Sequence, residues 1–468
     1  MTMGNLKLFW NIFKLKLNTK KSTEQIKKLQ EKKLKKLLRC AYEKSAYYHR
    51  TFEAAGITAE NIAVRPLSDF PSIDKAVLLQ EFDELVTVSD LRQQDMQKFD
   101  EQESLEQRLF HGKYHVVHSS GSTGRPGYFV YDDDAWKQML AGIIRAALWG
   151  MSIPQMLKLL YKKPKVVYIA ATDGRYGGAM SICEGIEGVG AKSLLLDVKA
   201  PIEEWVDRLK AFQPDILIGY ASAIKILGEL LEQDQMPLTV KRVISCGEPV
   251  SAGLRSYIEK VFESQVFNVY GASESLALGI ETNYKEGMLL FDDLNVIEVE
   301  NGVMYLTCLY NMTQPLIRYR MSDELNLKAD RKQQQYPFTN AESVQGRDED
   351  LMWFEDALGK REFIHPLVVE GICIEGLIDY QFCQTGKDSF KLLAECVNLE
   401  ARVPICEELT GYLEQLLKNK HLDNVQFSIQ FTDRILADPQ TGKKKLIVRG
   451  DREAYGTGNN RSDHSEPA

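Results

Sequence analysis

The sequence predicts an α/β protein whose larger, N-terminal part is layered around a mostly parallel sheet. Three observations lead there. Short apolar runs, VVYIA (166–170), LLLD (194–197), DILIGY (215–220), RVISCG (242–247) and QVFNVYG (265–271), suit buried strands. Helical stretches such as IEEWVDRLKAF (202–212) and SAIKILGELLEQ (222–233) lie between them, and strand–helix alternation implies parallel pairing with helices on the faces. Residues 288–320 instead read as consecutive β segments, with VIEV, the turn ENG and VMYLTCLY in succession.

At 468 residues the chain exceeds one ordinary domain. Its hydrophobic fraction of 44% and charged fraction of 26% are those of a globular protein with a sizeable core. Residues 1–110 read as mainly helical. In 22–50, Ile26, Leu29, Leu34, Leu37, Leu38 and Ala41 recur near the helical period among lysines, with Ser22 or Thr23 as the cap. PSIDK at 71–75 reads as a turn into another helix. The tail 451–468, rich in Gly, Asn, Ser and Asp, is expected to be disordered.

Charge is uneven. Residues 1–50 carry 14 Lys and Arg against 3 Asp and Glu, while the whole chain is −8, so the remainder sums to −19. The basic head suits a solvated helical face, with peripheral contact to a membrane surface as the alternative. The acidic remainder argues against nucleic-acid binding. The apolar start at 6–17 is interrupted by Lys7, Lys14 and Lys16, unlike a signal peptide, and no run approaches a membrane span of about 18–20 residues. The eight cysteines, Cys40, Cys183, Cys246, Cys308, Cys373, Cys383, Cys396 and Cys406, contain no C-x-x-C pair. That spacing argues against a structural zinc site and against a disulfide framework, and suggests packing thiols in a reducing cytoplasm.

The motif richest in chemistry is HSSGSTGRPG at 118–127. Its glycines let the backbone approach phosphate oxygens. Main-chain N–H groups and the hydroxyls of Ser119, Ser120, Ser122 and Thr123, spaced by Gly121 and Gly124, can donate to those oxygens, and Arg125 adds positive charge. It is not a G-x-x-x-x-G-K-[ST] loop. Taken alone, such a run also suits a flexible turn.

The order S-S-G-S-T-G-[KR]-P resembles the phosphate loop of adenylate-forming enzymes, and four later segments follow in that superfamily's order. SCGEPVS (245–251) resembles the adenine-contacting loop, NVYGASES (268–275) the Y-G-x-[ST]-E motif, PLIRYRMSDE (315–324) the P-L-I-R-Y-R-T-G-D segment of phenylacetate–CoA ligases, and GRDED (346–350) the hinge. The resemblance is closest over 115–350. It implies ATP and Mg²⁺, with Gly247, Glu248, Pro249, Tyr270, Gly271 and Asp323 at the nucleotide. Tyr270 would stack on adenine, or else be a core tyrosine at a strand end. Glu274 would hold the metal, or else be a surface glutamate. Asp323 would accept from the ribose hydroxyls, or else form a turn with Ser322. Arg347 would touch nucleotide or the neighbouring domain, as would Arg320, and Asp348 would be the pivot.

Near the end, DPQTGKKKLIVRG (438–450) resembles the terminal element whose lysine reaches the reacting phosphate. Lys443 follows the glycine directly, and Lys445 is the competing register. The implied architecture is a domain of residues 1–345 holding ATP and acid, and a small C-terminal α+β lid of residues 346–450. The implied reaction activates a carboxylic acid as its acyl-adenylate and passes the acyl group to the thiol of CoA or an acyl carrier protein. Two alternatives stay open: transfer to an amine or hydroxyl, and a non-catalytic nucleotide-binding relative. Met321 and Ser322 replace the usual Thr and Gly, and LMWFEDALGKREFIHP (351–366) replaces a shorter segment of CoA ligases, as in capsule-associated relatives. Tyr176, Gly177, Tyr220 and Ala221 suit a pocket for an apolar or aromatic acid, or ordinary strand-end packing.

Overall fold

The computed structural model describes residues 3–101, 109–119, 126–172, 177–234, 236–248, 250, 252–283, 286–300, 302–323, 325–328, 335–342, 351–369, 372, 374–435 and 446–449. They divide into two compact units. The described residues up to 342, except 199–202, form the larger; 199–202 and the described residues from 351 onward form the smaller.

An eight-stranded sheet is the frame of the larger unit. Its spatial order is Asn340–Ala341, Met288–Leu290, Ser275–Glu281, Val266–Ala272, Arg242–Cys246, Ile216–Gly219, Lys165–Ala170 and Lys192–Asp197. The last five of these pair in parallel, and the first three join antiparallel. The expected strands are therefore all present, but the sheet is mixed. The apolar runs are continuous because the central strands are covered on both faces, and all four residues of Ile216–Gly219 are buried. The edge strand Lys192–Asp197 exposes Lys192 and Ser193, which blunts the edge. Helices Gly177–Gly188, Ile202–Phe212, Ala221–Glu232 and Ala252–Val261 are the connections between parallel strands.

The expected β run after 288 divides between two sheets. Met288–Leu290 extends the main sheet, whereas Asn295–Glu300, Val303–Cys308 and Tyr319–Arg320 make a small antiparallel one. Glu300 faces Val303 across the tight turn, and Gly302 takes the positive φ (+80°) that such turns require.

The region expected as one helix over 22–50 is two, Thr23–Lys44 and Ala46–Ala54. Ser22 caps the first in a capping box with Gln25. Ser45 is extended, caps the second through Tyr48, and donates its hydroxyl to the Glu84 carbonyl, so the break fixes the chain's direction. The turn PSIDK does lead into a helix, Lys75–Gln80, and Asp74 caps it. The lysine-interrupted start is itself a helix, Met3–Asn18, which buries Leu8, Ile12 and Leu15 and packs against helix Asp133–Ala147. Among the described residues no helix is long and apolar enough to cross a membrane.

Helix Asp133–Ala147 carries the most costly group in this core. Arg145 and Asp293 are fully buried and paired at 2.7 Å. Asn18 donates to the same Asp293 oxygen at 2.8 Å, and the guanidinium lies over Phe291 and Phe338, 4.1 and 5.3 Å from their centroids. Desolvating both charges is expensive, so the pair ties three segments together without adding much net stability.

The smaller unit is α+β. Its sheet runs Gln426–Thr432, Ser389–Cys396, Leu377–Gln384 and Ile447–Arg449, with helix Arg402–Asn419 and the hairpin Met352–Glu355/Arg361–Ile364. Phe354, Phe382 and Phe390 stack into its core. Arg347, Asp348 and Lys443 lie outside the described residues, as do Lys444, Lys445 and the 451–468 tail.

Arg145→Met should lower stability to urea by about 3–5 kcal/mol, because Asp293 is left charged and buried. The double variant Arg145→Met/Asp293→Leu should regain most of it. A single-variant loss under about 1 kcal/mol, seen in urea unfolding, would mean the pair is not a constraint.

Candidate functional site

Parallel strands place all their carboxyl ends on one edge, and the candidate residues gather there. Tyr220 and Ala221 follow strand Ile216–Gly219, Gly247 and Glu248 follow Arg242–Cys246, and Tyr270 and Gly271 end Val266–Ala272. Strand Lys165–Ala170 lies between Lys192–Asp197 and Ile216–Gly219. The chain thus leaves it first to one side and later returns on the other, and the crevice beyond such a reversal is the usual ligand position in open α/β sheets. Gly219 and Tyr220 border this crevice, and the Tyr220 N–H donates to the Ile169 carbonyl at 3.1 Å.

Close approaches explain two glycines. Gly247 has φ +80°, and a Cβ there would sit 2.7 Å from the Tyr220 ring. The suggested adenine loop therefore lies directly against the suggested acyl-pocket tyrosine. A Cβ on Gly177 would come within 2.9 Å of Val117 and of Leu276, which lets its helix start close to the strands at the site. Tyr220 and Ala221 are buried. The Glu248 carboxylate accepts from the Ser222 amide and hydroxyl at 2.8 and 2.9 Å, so it caps helix Ala221–Glu232. Pro249 and Tyr176 lie outside the described residues.

The phosphate-loop motif begins and ends on an antiparallel hairpin, His115–His118 with Tyr128–Tyr131. Ser119 and Gly127 close its stem twice: the Ser119 amide donates to the Gly127 carbonyl, and the Gly127 amide to the Ser119 hydroxyl, both at 2.9 Å. Ser120, Gly121, Ser122, Thr123, Gly124 and Arg125 lie outside the described residues. The stem meets the Y-G-x-[ST]-E turn, where Ser273 donates to the His118 carbonyl at 3.3 Å. Tyr131 donates to the carbonyls of Ser273 and Glu274, both at 3.0 Å.

Glu274 and Asp323 come together from different motifs. The Tyr270 hydroxyl donates to Asp323 Oδ2 at 2.8 Å across 53 residues of sequence. Burial, then the neighbouring Asp323 charge, pushes the Glu274 carboxyl up to about 7, although a hydrogen bond from Tyr319 and the charge of Lys75 pull the other way. The residue keeps some surface exposure, so its carboxyl is shielded rather than sealed off. A shielded carboxylate beside another carboxylate fits a site completed by a cation. Among the described residues no three His, Cys, Asp or Glu side chains gather as a metal site. Asp323 remains half-buried, and Met321, replacing the usual threonine, is buried.

Sequence reasoning passed over Tyr319, Lys75, Tyr131 and Ser273. Tyr319, Ser273 and Lys75 lie within the segments 315–324, 268–275 and 71–75, and strand alternation separates Tyr319 from Arg320: Tyr319 is buried and Arg320 exposed. Arg318, in the same motif, is structural. It is buried at φ +49°, donates to the carbonyls of Ser68 and Phe70, and pairs with Glu298 and Glu300.

No family model matches the chain. Among curated proteins it is similar to the phenylacetate-coenzyme A ligase of Escherichia coli (strain K12), 27% identical over 354 residues, covering 71% of this chain and 73% of that protein. It is 25% identical to Protein CapK of Staphylococcus aureus over 264 residues, 53% of this chain and 55% of that one. A solved 2-hydroxyisobutyryl-CoA ligase, in complex with 2-HIB-AMP and CoA, shares the fold with a TM-score of 0.60 at 20% identity, over 92% of this chain and 91% of that chain. With the motifs in order on this fold, the chain is similar to the adenylate-forming enzymes, and among them to the phenylacetate–CoA ligases.

Proposed function

We propose that the chain is an AMP-forming carboxylate ligase. The substrate carboxylate oxygen attacks the α-phosphorus of ATP, the bond to the bridging oxygen breaks, and pyrophosphate leaves. The acyl-adenylate then passes its acyl group to a thiol of CoA or an acyl carrier protein, and AMP leaves. The observation that carries this reading is the Tyr270–Asp323 hydrogen bond beside Glu274, because it brings two distant motifs to one edge of the sheet. The relatives named phenylacetate-coenzyme A ligase support the same chemistry.

Within this reading, the stem at Ser119 and Gly127 aims the 120–125 loop at the phosphates. Gly247, Pro249, Tyr270 and Gly271 surround adenine, and Asp323 exchanges the Tyr270 hydroxyl for the ribose. Glu274 is the protein's ligand for Mg²⁺, which would neutralise phosphate charge. Arg347 and Lys443 act from the smaller unit, which turns about Asp348 as a lid and excludes water from the mixed anhydride. Tyr176, Gly177, Tyr220 and Ala221 bound an apolar or aromatic acid.

Transfer to an amine or hydroxyl is the second reading. It is favoured by the hairpin Met352–Glu355/Arg361–Ile364, built from the segment that departs from CoA ligases. A non-catalytic relative would bind nucleotide without turnover. Incubation with ATP, candidate acids and separate acceptors distinguishes the three: acid-dependent pyrophosphate release reports adenylation, and product mass reports the acceptor. Absence of release with every acid would reject a ligase.

Glu274→Gln tests the metal role and the raised pKa together. A carboxyl with a raised folded-state pKa disfavours the native state as pH rises from its unfolded value near 4.5 to about 7, and the cost is constant above. The variant should therefore be more stable than wild type by about 3 kcal/mol at pH 8, with the gain vanishing toward pH 4. Its turnover should fall and its Mg²⁺ requirement rise. Wild-type metal dependence in the variant would remove Glu274 from the metal.

Asp323→Ala should raise the KM for ATP with little change in thermal midpoint, since among the described residues it removes one hydrogen bond, that from Tyr270; an unchanged nucleotide affinity would refute the ribose role. Lys443→Ala should leave ATP binding nearly intact and slow pyrophosphate release about 10²–10³-fold. Supplied acyl-adenylate should still react with the acceptor. Lys445→Ala is the register control: collapse there with a full rate in Lys443→Ala moves the role by two residues.

A further inference from the structure

We propose that the N-terminal helix is a docking surface for an anionic lipid bilayer. Helix Met3–Asn18 has two apolar faces. Leu8, Ile12 and Leu15 are buried against the larger unit. Leu6, Trp10, Phe13 and Leu17, spaced by four, three and four residues, form a second stripe on the opposite side, with exposures of 56, 55, 37 and 40%. Isolated exposed apolar residues are ordinary, but four in one helical line are a patch. Trp10 and Phe13 stack at 6.0 Å, so the two largest members present one continuous surface.

The charge says what covers it. Lys14 lies 5.2 Å over the Trp10 ring at the border of the stripe, where a long side chain can keep its ammonium at a headgroup while its stem lies on the rings. Lys7, on the same border, pairs with Asp134. The next helix, Thr23–Lys44, exposes Lys32, Lys35, Lys36 and Arg39, and residues 1–50 net +11 in a chain of −8. A second copy of so basic a segment would be repelled, whereas an anionic surface attracts it. Indole and phenyl rings favour the headgroup boundary, and the helix is too short and too charged to cross. The helix lies on the surface.

The test uses the full chain with phosphatidylcholine vesicles, with and without phosphatidylglycerol, in a flotation assay. Wild type should float with the anionic vesicles, and added salt should weaken this. Trp10→Ser/Phe13→Ser should lower partitioning about tenfold or more with an unchanged circular dichroism spectrum. Lys32→Glu/Lys35→Glu/Lys36→Glu, which leaves the rings intact, should remove the preference for anionic vesicles. No flotation of wild type, or equal flotation of the ring variant, overturns the proposal. So does a wild-type dimer that the ring variant dissociates without any vesicle binding, because the stripe would then cover a second copy.

Discussion

The parallel arrangement of five strands is the constraint from which the candidate site follows. Parallel neighbours oblige the chain to return through a helix each time, so every strand leaves its loop on the same edge. The segments after Ala170, Gly219, Cys246 and Ala272 are scattered over a hundred residues of sequence, yet the sheet delivers them to one line. The antiparallel strand Ser275–Glu281 then reverses the chain immediately after the motif containing Glu274, which holds that carboxyl at the edge instead of carrying it away on a helix.

Much of this was legible because each signal had a local cause. The central strands read as strands since burial on both faces demands unbroken apolar runs. Ser22, Asp74 and Gly302 announced caps and a turn through their own side-chain or backbone chemistry. The break at Ser45 was not legible. The helical period continues through it, and only the Glu84 carbonyl, distant in sequence, explains why the chain turns there. The pairing of Arg145 with Asp293 was equally hidden, being a contact between residues 148 apart. For the candidate site, motif order pointed to Tyr270, Glu274 and Asp323. Their mutual contacts came from the fold, as did the role of Tyr319, whose burial depends on which face of a two-residue strand it occupies.

Residues quoted within a motif do not share one purpose. Arg318, Tyr319 and Arg320 are consecutive. The first is spent on carbonyls and carboxylates of the scaffold, the second donates toward Glu274, and the third faces solvent. Glu248 likewise sits in a ligand-loop motif while its carboxylate caps a helix. Structural and chemical duties are interleaved, so the scaffold residues limit how far the reactive ones can shift.

The doubly bonded stem at Ser119 and Gly127 has an effect on timing. Bringing the ends of a chain segment together costs conformational entropy whenever it occurs. Here the two ends are joined by the hairpin and by reciprocal hydrogen bonds before any ligand arrives. That cost of joining the ends is therefore met during folding. If the motif holds phosphate as proposed, a substitution that loosened the stem would transfer the end-joining entropy to the association step and weaken binding, although Ser119 and Gly127 act there only as scaffold.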